Sequence, residues 1–72
     1  MSPDDRTRAE WTAAFAARLG VEPPDEATVE ALLDLAGAAA HASERTSAPL
    51  ACWLVGRTGV SPAEALALAR EV

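Results

Sequence analysis

Apolar positions recur along the chain at steps of three and four and nowhere alternate, so the pattern predicts helices and no strands. Trp11, Phe15 and Leu19 fall four residues apart with Ala14 beside them, forming one apolar stripe. The helix that carries them is predicted over 3–19. Ser2 stands as its N-cap, Pro3 occupies the first helical position, and Asp4 and Asp5 face the positive end. Gly20 closes it, and the pair Pro23-Pro24 turns the chain away from helix.

Asp25 caps a second helix, predicted over 26–43. At about 100° per residue, Val29, Leu32, Leu33, Ala36, Ala39 and Ala40 share one face, flanked by Ala31, Leu35 and Ala42. An arc that wide implies neighbours on two sides, so this is the expected central helix. Gly37 and the following run of alanines remove bulk, which suits close approach of another helix. A third helix, over 48–58, starts behind Thr46 or Ser47 and carries Leu50, Trp53 and Leu54 as its stripe. Gly59 is expected to end it in left-handed geometry, followed by a hydrophobic contact from Val60. Ser61-Pro62-Ala63-Glu64 then has the form of a capping box and opens a fourth helix over 62–71. Ala65, Leu66 and Ala69 lie on one side of it, and Leu68 is displaced. The expected architecture is all-α, a compact bundle of four short helices forming a single domain over 1–72.

Composition narrows the function. Eighteen of the 72 residues are alanine, and a chain this short buries only about 60% of the surface its unfolded form exposes, so close packing or a partner must support it. Six arginines and no lysine stand against eleven acids, for a net charge of −5. That field repels phosphate backbones, and no nucleic-acid partner is expected. The longest stretch without a charge, Thr46 to Gly56, is too short to cross a bilayer, so no membrane partner is expected either. The acidic start lacks the basic and apolar regions of a secretory signal, which reads as cytoplasmic. Cys52, the sole cysteine, excludes an internal disulfide and any multi-cysteine metal site, and reads as a small packed apolar residue. No cofactor or metal is implied.

Catalytic ingredients are few: one histidine, one cysteine, no glycine-rich phosphate loop and no metal-ligand spacing. The chain does not read as an enzyme. One polar line remains, formed by Asp34, His41 and Arg45 at steps of seven and four, within about 40° of one another opposite the apolar arc, with Glu30 close by. With Ser47 and the amides that begin the third helix, this line is a candidate site for a carboxylate or phosphate. Its plainer reading is ordinary surface charge. Trp11 and Trp53 sit on apolar stripes and read first as core residues. The alternative is that one of them lines an exposed groove for a partner helix or a second copy of the chain.

Leu32-Leu33-Asp34-Leu35-Ala36, Ala40-His41, Glu44-Arg45, Ala48-Pro49-Leu50 and Leu54-Val55-Gly56 resemble a small helical domain of unknown function from high-GC Gram-positive bacteria. That domain is found alone or fused C-terminally to molybdenum-cofactor guanylyltransferase-like proteins. Trp11 and Leu19-Gly20 match its opening, while Thr46 stands where a proline is expected. The resemblance implies an accessory or protein-interaction module, associated with molybdopterin guanine dinucleotide synthesis, whose partner is a nucleotidyltransferase or a molybdoenzyme. It carries over no catalytic residue, because the transferase's nucleotide loop and metal-binding acids have no counterpart here. Two other functions stay open: a small anionic-ligand or nucleotide-binding domain using His41 and Arg45, and a homodimeric structural domain.

Overall fold

Four α-helices account for the architecture in a computed structural model that describes residues 6–72. They are α1 (Arg8–Leu19), α2 (Glu26–Ala42), α3 (Ser47–Gly56) and α4 (Pro62–Ala69). The described residues contain no strand, and the fold is the small all-α bundle that the periodicity predicts.

The ends of the helices show why they begin and stop where they do. Arg6 and Thr7 lie outside α1, so the helix starts later than position 3; Ser2 to Asp5 are outside the described residues. The reason is a capping box further along. The Glu10 amide donates to Thr7 Oγ1 at 3.1 Å, and the Thr7 amide donates to Glu10 Oε1 at 2.9 Å. At the other end Gly20 takes left-handed geometry with φ 77°. Its amide donates to the Ala17 carbonyl at 3.2 Å, and the Val21 amide donates to Ala16 at 3.0 Å, the paired bonds of a Schellman ending. Asp25 caps α2 as expected, accepting from the Thr28 amide at 2.8 Å.

The start of α4 keeps half of its predicted box: the Glu64 amide donates to Ser61 Oγ at 3.2 Å. The end of α3 departs from expectation. Gly59 is not left-handed, since Gly20 alone has positive φ among the described residues. Instead the hydroxyl of Thr58 donates to the Val55 carbonyl at 2.9 Å and accepts from the Val60 amide at 3.2 Å. A side chain therefore closes this helix where a glycine was expected to do so.

Packing centres on α2, which lies against both α3 and α4. Its deepest residue is Leu35, only 2% exposed, and Ala65 of α4 is buried with it. The predicted arc is thus rotated toward Leu35 and away from Leu33, which is about half exposed. Two helices share α2, so the buried line runs where both can reach it. Gly37 is not a point of close approach, because a Cβ built there meets no heavy atom within 4 Å. α1 lies beside the Pro23-Pro24 turn and the first turns of α2, across a cleft of about 340 Å³ bordered by Ala9, Thr12, Ala13 and Val29. The molecule measures 42 × 26 × 18 Å.

Candidate interaction surfaces

On α1 and α3 the large apolar side chains point away from the body. The inward residue of α1 is Ala16, whereas Trp11 is 51% exposed and Phe15 and Leu19 are open with it. Both tryptophans read first as core, and the structure corrects that reading. An alanine-rich helix has two apolar faces, and in α1 the small one is turned inward. Trp11 and Phe15 support each other instead, with ring centroids 5.1 Å apart and planes tilted by 31°. Arg6 and Arg18 border the shallow hollow around these rings.

The same inversion occurs in α3. Ala48, Ala51, Cys52 and Val55 are partly covered, while Leu50, Trp53 and Leu54 are exposed, Trp53 by 61%. The guanidinium of Arg57, one turn on, stands 4.8 Å from the centroid of the Trp53 ring. This pairing keeps the indole face partly desolvated at an exposed site. Leu54 is also one wall of a groove of about 260 Å³ between α3 and α4. Leu35 and Ala65 form its floor, and Val55, Leu68 and Val72 complete an almost wholly apolar lining.

The polar line is placed differently. Asp34, His41 and Arg45 are all exposed, and Ser47 is partly covered. The helical register that aligns Asp34 with His41 ends at Ala42. Ser43 leaves it with φ −143° and ψ −114°, so Arg45 sits in the connecting turn. The amides expected to greet an anion are engaged: Ser47 donates to the Glu44 carbonyl at 2.8 Å, and Ala48 donates to the Arg45 carbonyl at 3.2 Å. Pro49 has no amide to offer.

Among the described residues two carboxylates have lowered pKa values, and both belong to caps. Glu10 is held below its ordinary value by hydrogen bonding to the Thr7 backbone and side chain. Asp25 is lowered in the same way by Thr28. Among the described residues no group of three or more His, Cys, Asp or Glu side chains is placed to hold a metal ion. No described helix is long and apolar enough to cross a membrane.

Phe15, Leu19, Leu50 and Leu54 are the predicted stripe residues, but their exposure, and any part for Val72, escaped sequence reasoning. The available signal was composition: when alanine supplies a whole second face, the large stripe is not obliged to be the buried one.

A family model described as Domain of unknown function (DUF6457) matches residues 3–72. The chain belongs to that family. The match spans all four helices, so both apolar surfaces are part of the family's domain. No curated protein and no solved structure matches the chain.

Proposed function

We propose that this domain is a non-catalytic protein-interaction module that works through the apolar faces of α1 and α3. One observation carries the reading. Among the described residues only Ala16, Leu35 and Ala65 are buried apolar residues, whereas ten large apolar side chains are exposed, both tryptophans among them. A chain that leaves large apolar side chains uncovered on two of its helices gains free energy when a partner covers them. Exposed tryptophans flanked by arginines are side chains that dominate binding energetics at such surfaces.

The partner class that we propose from the sequence resemblance is a nucleotidyltransferase of the molybdenum-cofactor guanylyltransferase kind, with the domain as its accessory. A small anionic ligand at His41 and Arg45 is the less supported reading, because the amides of Ser47 and Ala48 already serve backbone carbonyls.

Titration calorimetry of the purified domain against such a transferase tests the proposal. We expect binding that weakens at least ~10-fold in Trp11→Ala/Trp53→Ala, the loss of roughly 1.4 kcal/mol or more that an interface anchor supplies. Binding unchanged by that double substitution would remove these faces from the function, and absence of heat at two well-separated temperatures would remove the transferase.

A further inference from the structure

We infer that α1 is a strap that closes along a free face of α2, so that the chain itself competes with a partner for Trp11, Phe15 and Leu19. The inference rests on the interaction-module reading for that consequence alone, and adds a means of regulating the α1 surface.

α2 packs on α3 and α4 through the side that carries Leu35. On its other side Val29, Leu33, Ala36, Gly37 and Ala40 fall in one sector of about 100°. α1 reaches only the beginning of that sector, since the cleft between the two helices is bordered on α2 by Glu26, Val29 and Glu30. Beyond the cleft Leu33 is 48% exposed, and Gly37 faces open space. The radius of gyration is 13.3 Å, against about 11 Å for a compact chain of this length. A second apolar face of the central helix is thus bare beside a helix whose own apolar stripe is bare.

The two faces share a register. Trp11, Phe15 and Leu19 recur at steps of four, and so do Val29, Leu33 and Gly37. Residues 20–25 join α1 to α2, a connection of ordinary length for helices that pack antiparallel. In that arrangement Leu19 falls opposite Val29, Phe15 opposite Leu33 and Trp11 opposite Gly37. The largest ring then meets the one position of α2 that has no side chain. Sliding α1 by four residues one way sets Trp11 on His41, and sliding it the other way leaves Leu19 beyond the first residue of α2. One register therefore seats all three anchors on apolar or bare positions. Closing turns α1 by about a quarter of a revolution, because Ala16 now faces inward, and carries it along α2. It exchanges a cleft bordered by Ala9, Thr12 and Ala13 for burial of two aromatic rings and a leucine.

Single-indole variants read the closure. In Trp53→Phe the remaining indole is Trp11, and acrylamide should quench it at less than half the rate found once Leu33→Gln is added. In Trp11→Phe the indole is Trp53, and Leu33→Gln should leave its quenching unchanged. Leu33 is half exposed, so circular dichroism should show the helices intact in Leu33→Gln. Disulfide trapping with diamide in a Cys52→Ser chain asks the same question with the stripe and Leu33 untouched. Arg8 borders the cleft near Glu30 in the open form and lies opposite Ala40 in the closed one. Arg8→Cys/Ala40→Cys should therefore bridge within one molecule at least ~10-fold faster than Arg8→Cys/Asp34→Cys. Asp34 is nearer to the cleft along α2 but turned away from the free face, so random motion of α1 would favour it instead.

Equal bridging rates, or faster bridging at Asp34, overturn the inference. So does a Trp11 indole quenched as freely before Leu33→Gln as after it. Either result leaves the interaction-module reading in place, because calorimetry with the transferase judges that reading separately. Where the transferase binds, Leu33→Gln should tighten binding a few-fold, since the competing seat is gone.

Discussion

A methyl group added at Gly37 enters open space, while one added at Gly20 must adopt φ +77°. The two glycines therefore answer the same substitution with opposite signs. Gly37→Ala removes backbone freedom from the unfolded chain and should stabilise the domain by about 0.5–1 kcal/mol. Gly20→Ala forces an L-residue into left-handed geometry and should cost roughly 1–2 kcal/mol. Thermal unfolding of both variants at one protein concentration checks the pair, and equal shifts would contradict the geometry at Gly20. Asp25 offers a second single-residue prediction. Its carboxyl is lowered in the folded state, so its contribution is complete above the ordinary value of 3.8 and is lost as pH falls through the folded value. Asparagine caps equally well and does not titrate. Asp25→Asn should accordingly match the parent at neutral pH and flatten the acid limb of its melting curve, leaving the part that Glu10 contributes.

At the scale of the helix, burial decides which side chains hold the fold. Among the described residues Leu35 is the one large side chain that is fully covered, and Leu35→Ala should cost about 2–5 kcal/mol, enough to unfold a domain of this size. Trp53→Ala removes a much larger side chain from α3 and should cost under about 1 kcal/mol in the isolated monomer. Urea titrations would show the contrast, and a larger loss at Trp53 than at Leu35 would invert the assignment of the core. This contrast also marks what the sequence makes legible. Asp25, Ser61 and Gly20 were readable because a cap is a transaction among residues within five positions, and those bonds form as their types demand. Thr7-Arg8-Ala9-Glu10 was equally local, yet a proline nearer the start drew the boundary away from it. Orientation was not legible. Periodicity says that Trp11, Phe15 and Leu19 share a face, and that Leu50, Trp53 and Leu54 share another. Which side of α1 or α3 meets α2 depends on what α2 can accommodate, and its wide alanine surface accepts small side chains closely. The polar line suffered from the same limit: Asp34 and His41 align while the helix lasts, and Ser43 ends the register before Arg45.

For the molecule as a whole, a core built from Ala16, Leu35 and Ala65 hides little surface beyond what the helices hide within themselves. Denaturant sensitivity scales with the area exposed on unfolding. At low micromolar concentration the chain should therefore unfold in urea with a shallow slope, at or below about 1 kcal/mol/M. With a partner that covers the exposed faces present, the transition should move to higher urea, because binding to the folded state adds to its stability. A steep transition that is independent of concentration would mean that the isolated chain is already well packed.

α1 is sealed at both ends by bonds that lie wholly within residues 7–21, the Thr7–Glu10 box at one end and the Gly20 and Val21 amides at the other. None of those bonds waits for α2, α3 or α4. The limits of this helix are thus written into the unfolded chain as much as into the folded one. A twelve-residue helix is marginal alone, so it flickers rather than stands, but it flickers between fixed endpoints. The exposed helix therefore owes its endpoints to its own residues, and the body that makes little use of it decides only where it rests.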